Sequence, residues 1–226
     1  MHAENQTPIT LPLAPRGDRP VQLKSDSHFS GHMVVRSEGL IPQVVEVESH
    51  TEMNIGLVLA MRPDVVDVES QVMFGWREPQ TGAQKRHFFD FRVSKRNGDR
   101  VAVMVKPGRK RFCANFLAQA REIADRVTAD FADDVVLMTD RDICPIELHN
   151  ATFLDSLKEV DPEADAAVRR AMRRIIGARR ISDIVSEVGL RGRGFRAVGR
   201  LLRGRELVLS PPTRITSEAA VRRNVS

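Results

Sequence analysis

The sequence is poor in cysteine and has no long apolar run, and each absence excludes a class of protein. Cys113 and Cys144 are far apart and lack the spacing of a zinc site or a disulfide framework. No apolar run approaches the ~20 residues that a membrane-spanning helix needs, and residues 1–20 are polar, without a signal-peptide core. We therefore expect a folded protein of a reducing cytoplasm with two buried, unpaired thiols.

Several common sequence signatures are also missing. The chain contains no glycine-rich phosphate loop and no nucleophile elbow. It has no internal repeat and no low-complexity tract. Its 226 residues, of which 42% are apolar, have room for one large domain or for a medium domain and a small one.

Positive charge is concentrated at one end of the chain. Residues 160–226 contain 15 arginines, no lysine and 7 acidic residues, a net charge of +8, whereas residues 1–159 carry a net charge of −3. Arginine binds phosphate through its planar fork of N–H groups and stacks on bases. This asymmetry indicates nucleic-acid binding. The alternative is that the arginines lie on solvated helix faces.

The first two thirds of the chain predict an α/β core. Prolines and weak periodicity predict an extended arm over residues 1–25. Ser49 is the predicted N-cap of a helix that Pro63 ends. A long helix is predicted to open at Arg109-Lys110-Arg111, and another over Ala151–Glu159. The predicted strands are Val44–Val47, Val65–Val68, Gln71–Trp76, His87–Val93, Val101–Val105 and Val135–Met138. This order predicts a mixed sheet flanked by helices in residues 26–160.

Residues 161–226 have a different pattern, and we expect them to form a separate basic domain. Periodicity predicts three helices, over Ala164–Ile176, Ile181–Val188 and Phe195–Leu202. Gly189 is expected to stop the second helix. Two short strands are predicted around Pro211-Pro212, Leu207–Leu209 and Thr213–Thr216. Three helices and a small hairpin predict a winged-helix-like domain.

Two groups of basic residues are candidate DNA contacts. On the third of these helices, arginines recur at steps of three and four, which places them on one side of a possible recognition helix: Arg193, Arg196, Arg200 and Arg203. Arg109, Lys110 and Arg111 are predicted at a helix N-terminus, where free N–H groups favour anions. The alternative for both groups is ordinary surface charge.

The predicted hairpin of residues 87–105 carries an acidic residue and is followed by a lysine. If its loop is Asn97–Asp99, Arg96 pairs with Arg100 and Asp90 lies opposite Lys106. A loop of two residues would turn them to different faces. The functional interpretation therefore requires an odd loop or a bulge.

Each residue type of this group has a chemical reason to be there. Oxygen ligands suit Mg²⁺, with Mn²⁺ able to substitute, so Asp90 and the helix residue Glu52 would bind metal. Lys106 would assist the attack of activated water on a phosphodiester. The structural alternatives are a capping box of Ser49 and Glu52, and an ordinary ion pair of Asp90 with Lys106.

Four short segments occur in an order and spacing that resemble the TnsA family. The segments are TEMNIGLVLAMRPDVVDVESQ (51–71), HFFDFRV (87–93), VAVMVKP (101–107) and VVLMTDRDICP (135–145). The family comprises the endonuclease subunits of heteromeric transposases, within the PD-(D/E)xK superfamily, and the resemblance covers roughly residues 25–160. It implies a restriction-endonuclease-like fold. It also implies a metal site made of a helix Glu, a strand Asp and a Gln-x-Lys motif. By position, the Glu is Glu52, the Asp is Asp90, the Gln falls on Met104 and the Lys is Lys106.

The resemblance further implies a Mg²⁺-dependent nuclease that cuts DNA at the 5′ side of transposon ends. Its partners would be a DDE-type transposase and an AAA-type ATPase, and its C-terminal part would be helical and winged-helix-like. Met104 departs from the pattern, because a thioether is a poor ligand for a hard cation. Either the Val105 backbone carbonyl serves as a ligand, or the site is impaired and the chain is a DNA-binding adaptor.

Overall fold

The computed structural model describes residues 11–21, 29–36, 41–109 and 113–224. The chain divides into two compact units, Met1–Ile143 and Cys144–Ser226. This division falls earlier than the predicted boundary after residue 160. The reason is that helix α3 (Pro145–Asp155) packs Phe153 and Leu154 against the core of the second unit. In the described ranges, no helix is both long and apolar enough to cross a membrane.

The first unit is a mixed α/β structure. Its described residues form a four-stranded sheet in the order β3-β4-β5-β6, made of Val65–Arg77, Gln84–Lys95, Arg100–Lys106 and Asp134–Thr139. β3, β4 and β5 are antiparallel, and β6 runs parallel to β5. Its described residues also form β1 (Gly31–Val35), β2 (Gln43–Val47), α1 (His50–Met61), α2 (Ala114–Ala124) and a short 3-10 helix, Asp140–Asp142. The predicted mixed sheet flanked by helices is confirmed.

Helix α1 begins and ends where local sequence signals predict. Ser49 is its N-cap, and Pro63 follows its end. The helix is buried over most of its circumference, through Ile55, Gly56, Leu57, Val58 and Leu59. A helix that is apolar all round needs cover on several sides, and α1 contacts both the β1–β2 pair and the four-stranded sheet.

The strand predictions are correct in place and incomplete in extent. The predicted strands Val65–Val68 and Gln71–Trp76 are parts of one strand, β3, and β1 was not predicted. The predicted interruption has a physical counterpart, because Gln71 adopts a left-handed φ of 53° within β3. The short predicted strand over Val135–Met138 is β6.

The helix predicted to open at Arg109 is wrong in its start. Helix α2 begins at Ala114, and Lys110 and Arg111 lie outside the described residues. In the segment before α2, the Gly108 N–H donates to Asp140 Oδ1 at 2.5 Å. The cysteines beside α2 and α3 are free, as predicted, but Cys113 is half-buried and Cys144 is exposed, so their predicted burial is wrong.

The second unit packs its helices against a small sheet. The helices after α3 are α4 (Pro162–Arg173), α5 (Ile181–Val188) and α6 (Arg191–Arg203). The strands β7 (Arg179–Arg180), β8 (Leu207–Leu209) and β9 (Ala220–Arg223) are ordered β7-β9-β8. A core from all three helices and two strands includes Val168, Ile184, Val198, Leu207 and Val221. Gly189 ends α5 with a φ of 73°, as predicted.

Two boundaries in this unit differ from the predictions. Helix α6 begins at Arg191 and not at Phe195, and the partner of β8 is β9, not Thr213–Thr216. Asn150 explains the second difference. Its side chain donates to Thr213 O at 2.9 Å and accepts from Ile215 N–H at 2.8 Å, so these backbone groups are bonded outside any strand.

Candidate active site

Glu52 reaches the candidate site from the first turn of α1. Ser49 Oγ accepts from the Glu52 N–H at 3.1 Å, and the Glu52 carboxylate accepts from Ser49 Oγ and from the Glu48 N–H, both at 2.8 Å. Half of the capping box predicted as the structural alternative is therefore present: Ser49 caps the Glu52 N–H, but the Glu52 carboxylate accepts the N–H of Glu48 and not that of the N-cap residue. One turn later, Gly56 lets α1 lie directly on Phe91, because a Cβ there would be 3.0 Å from the ring.

The turn of the β4–β5 hairpin is Arg96–Gly98, one residue earlier than predicted. Gly98 adopts a left-handed φ of 95°, which suits the last position of a three-residue loop. The Lys95 N–H donates to Asp99 O at 2.8 Å and closes the loop. The odd loop length is as predicted, but Arg100 pairs with Ser94 and not with Arg96.

This turn decides what lies beside Asp90. The register of β4 and β5, from Phe91–Val103 to Ser94–Arg100, excludes the predicted pairing of Asp90 with Lys106, and Asp90 itself has no partner in the described ladder. The Asp90 carboxylate instead accepts the backbone N–H of Val105 at 2.6 Å. The strand that carries Lys106 is thus joined to Asp90 through a main-chain donor.

The β3–β4 ladder is interrupted at the candidate site. The pairs on either side, Ser70–Phe91 and Val72–Phe89, are intact, but Gln71 and Asp90 of the described sheet are not paired. Gln71 is 1% exposed, and no acceptor among the described residues faces its Nε2. A buried residue with a side chain and a φ of 53° is uncommon. Such distortions concentrate near functional sites.

Asp90 is the centre of the charged group. Burial raises the pKa of its carboxyl from 3.8 to about 6, although Lys106, the Val105 N–H and Arg19 act in the opposite direction. The Glu52 carboxylate adds to the rise. The structure therefore brings two of the predicted catalytic residues, Glu52 and Lys106, within electrostatic reach of the third, Asp90.

His87 lies near the same charges. Burial lowers the pKa of its imidazole from 6.5 to about 4, and the positive charges of Lys106 and Arg19 contribute. Its ring packs edge-on against Phe89, with 4.8 Å between centroids. His87 is neutral near pH 7 and does not add positive charge to the site.

Met104 is a core residue. It is 3% exposed and lies in an apolar cluster with Phe74, Phe89 and Ile123. An amide side chain at this position would lie among apolar groups, where an unpaired polar group is unfavourable. This packing accounts for methionine where the resemblance leads us to expect glutamine.

The carboxylates of the candidate site could bind a hard cation only together with water and substrate oxygens. The described residues contain no group of three or more His, Cys, Asp or Glu arranged to hold a metal. Mg²⁺ in phosphoryl-transfer sites is commonly held by one or two carboxylates, with water and substrate oxygens as the other ligands. Asp90 and Glu52 are two carboxylates that interact electrostatically, and a cation near them would relieve the burial of the Asp90 charge. The Val105 N–H is bonded to Asp90, and its carbonyl stays a predicted ligand.

The arginines predicted to contact DNA form ion pairs within the second unit. Arg193 binds Asp161 at 2.8 Å and Glu163 at 2.6 Å, and Arg200 binds Asp165 at 2.7 Å. Arg196 forms a longer ion pair with Glu159, at 3.6 Å, and Arg203 donates to a neutral group, the Leu157 carbonyl, at 3.0 Å. Arg193 lowers the pKa of Asp161 to about 2. These pairs reduce the positive charge that this side of α6 offers to a phosphate. Arg109 is exposed.

Comparison with known proteins leaves the family open. The sequence matches no protein-family model and no curated protein.

Sequence reasoning missed two residues beside Asp90. Gln71 was recognised only as the start of a strand, and Arg19 lies in the segment predicted to be an extended arm. Arg19 Nε donates to Gln71 Oε1 at 2.8 Å, and its Nη2 donates to Glu48 Oε2 at 2.5 Å. The break before Gln71 was the only local signal, and nothing in the arm sequence marks Arg19.

Proposed function

We propose that this protein is a metal-dependent DNA endonuclease with a restriction-endonuclease-like first unit, acting as a subunit of a transposase. The observation that carries the proposal is the meeting of Glu52, Asp90 and Lys106 at an interrupted ladder. These residues come from α1, β4 and β5, and Asp90 is buried there with a pKa raised by that burial. Buried carboxyl groups with perturbed pKa values are concentrated at catalytic sites.

Each residue has a defined role in the proposed reaction. Asp90 and Glu52 would hold Mg²⁺, which would supply Lewis-acid chemistry and lower the pKa of water. The Val105 N–H orients the Asp90 carboxylate, at 2.6 Å. Lys106 carries positive charge near the scissile phosphate and stabilises the charge that develops on it. Glu52 is held in place by its hydrogen bonds to Ser49 and Glu48.

The second unit is proposed to be a winged-helix-like DNA-binding domain. Its element order after α3 is helix, short strand, two helices and a β8–β9 hairpin, with β9 between β7 and β8. This order supports the three-helix and hairpin arrangement predicted for residues 161–226. Arginine-rich chemistry supports DNA as the ligand. Arg109, Lys110 and Arg111 remain proposed DNA contacts.

The transposase assignment rests on the resemblance of the four sequence segments. It assigns to this chain the cut at the 5′ side of transposon ends. It also assigns a DDE-type transposase and an AAA-type ATPase as partners, in the cytoplasm.

The test is a nicking assay on supercoiled plasmid in Mg²⁺ or Mn²⁺. The protein is assayed alone and together with a DDE-type transposase and an AAA-type ATPase, the proposed partners. Asp90→Asn removes the charge and keeps the shape, and we expect it to lower the rate on the order of 10²-fold or more. Asp99→Asn, at an exposed position directly after the hairpin turn, is the matched control and should cut like wild type. Cutting that survives in Asp90→Asn would end the catalytic assignment.

A second function, a DNA-binding adaptor without nuclease activity, is favoured by one observation. Met104 lies in the apolar cluster of Phe74 and Phe89 and provides no oxygen to a metal. An adaptor would bind DNA in gel shifts without cutting it in any metal. Absence of nicking by wild type, with nicking by Met104→Gln, would support this function.

A further inference from the structure

The N-terminal segment Gly17–Arg19 fills the interruption in β3. The Asp18 N–H donates to Gln71 O at 3.0 Å, and Asp18 Oδ2 accepts from the Met73 N–H at 2.7 Å. Gly17 lies so close that a Cβ would be 3.0 Å from Ser70 O. The segment therefore supplies hydrogen bonds at the position where the ladder with β4 is broken. The break and the arm form one local structure.

This arrangement holds Arg19 in one orientation. Its Nε and Nη2 donate to Gln71 and Glu48, and its guanidinium lies 5.3 Å from the centroid of the Phe88 ring. The Arg19 side chain nevertheless remains 38% exposed. In the described part of the chain, no acceptor is found for its Nη1, so the guanidinium keeps donors for a further anion.

Arg19 lies close enough to the site for its charge to act on the titratable groups there. Its charge acts on both Asp90 and His87, as does that of Lys106. The acidic residues of the site, Glu52 and Asp90 with the adjacent Glu48, would by themselves repel a DNA phosphate. A fixed guanidinium is suited to this repulsion, because it binds phosphate oxygens through two donors at once.

We propose that Arg19 is a second phosphate-binding cation of this site, which contacts the cleaved DNA strand on the side of Gln71 while Lys106 contacts it from β5. The inference rests on the proposed endonuclease function and adds to it a residue from outside the four-stranded sheet. The structural alternative is that Arg19 only fastens the arm. Arg16 provides the comparison, because it also fastens the arm, through a 2.7 Å ion pair to Asp67.

The experiment compares Arg19→Gln, Arg19→Lys and Arg16→Gln in the full chain, with wild type and Asp90→Asn as references. Single-turnover nicking is measured in Mg²⁺, DNA affinity by fluorescence anisotropy in Ca²⁺, and folding by thermal unfolding. We expect Arg19→Gln to lower the cleavage rate constant about 10²-fold while DNA affinity changes less than about threefold. Arg19→Lys should recover about tenfold of that loss. Arg16→Gln should leave the rate within about twofold.

The outcomes separate this inference from the proposed function. Equal losses in Arg19→Gln and Arg16→Gln, or no loss in Arg19→Gln while Asp90→Asn is inactive, overturn the role of Arg19 alone. An inactive wild type, or cleavage unaffected by Asp90→Asn, overturns the endonuclease function and the role of Arg19 with it. A loss confined to Arg19→Gln, at a melting temperature equal to that of Arg16→Gln, supports the proposal.

Discussion

Replacing Asp90 by asparagine tests the candidate site through stability as well as through activity. The carboxyl is 8% exposed, and burial raises its pKa from 3.8 to about 6. The ionised form is therefore less favourable in the folded chain than in the unfolded chain. Asparagine has nearly the same shape, and its carbonyl oxygen can still accept the Val105 N–H. The substitution thus removes the buried charge with little change in packing.

The size of the effect follows from the pKa difference. A difference of one in pKa corresponds to about 1.4 kcal/mol, so the rise from 3.8 to about 6 corresponds to about 3 kcal/mol of unfolding free energy. Because the folded-state pKa is raised, this stability is present below about pH 4. It is lost as the pH rises through about 6. At pH 8, Asp90→Asn should therefore be more stable than wild type by up to about 3 kcal/mol.

Urea denaturation between pH 3.5 and pH 8 at about eight pH values measures this difference. The quantity to plot is the unfolding free energy of Asp90→Asn minus that of wild type, because His87 titrates in the same range with the opposite sign. The difference should be near zero at the acid end and grow between pH 4 and pH 6. A difference that is flat with pH, or a variant less stable than wild type at pH 8, would refute the buried-charge argument.

The remaining predictions concern metal, the histidine and the second unit. Mg²⁺ at about 100 times its dissociation constant should stabilise wild type by about 2.7 kcal/mol, measured by thermal unfolding, and should leave Asp90→Asn unchanged. Equal stabilisation of the two proteins would place the metal elsewhere. Burial lowers the folded-state pKa of His87, so wild type should lose stability as the pH falls from 6.5 through about 4, and His87→Asn should not show this loss. The same loss of stability at acid pH in His87→Asn, measured by urea denaturation, would contradict this. Gly199→Ala should cost about 1–3 kcal/mol by urea denaturation, since its Cβ would lie 2.4 Å from Leu157 Cδ1, and an unchanged midpoint would show that α6 can shift. Asp161→Asn keeps an N-cap residue and leaves Arg193 with Glu163 as its one remaining acidic partner of the two, so DNA affinity should rise and its salt dependence should steepen by up to about one phosphate contact. An unchanged salt slope would argue against DNA contact on this side of α6.

Local signals in the sequence were sufficient for the elements that such signals control. Ser49 and Pro63 bound α1, and Gly189 ends α5, because caps and breakers act within a few residues. The hairpin is intermediate. The sequence predicted a loop with an odd number of residues, but not whether that loop begins at Arg96 or at Asn97. The starting residue depends on Gly98, which adopts a left-handed conformation at the last position of the loop.

Features made by distant segments were not predictable in the same way. The excess of arginine in residues 160–226 is visible in the sequence, but its pairing with Asp161, Glu163 and Asp165 depends on α4 and α6 lying side by side. The burial of Met104 likewise depends on Ile123 of α2 and Phe74 of β3 packing in the same apolar cluster. A linear pattern lists side chains without their neighbours, so it cannot say which charges are already neutralised.

The amino-acid sequence alone determined the kind of sheet, the helix boundaries set by caps and the three residue types at positions 52, 90 and 106. Those properties follow from periodicity and from interactions between near neighbours in the chain. Only the tertiary structure decided that Asp90 is buried, that Val105 binds it, and that Arg19 crosses to a break in β3 to join it. Burial and electrostatic coupling are properties of through-space packing, and they exist only once the chain has folded.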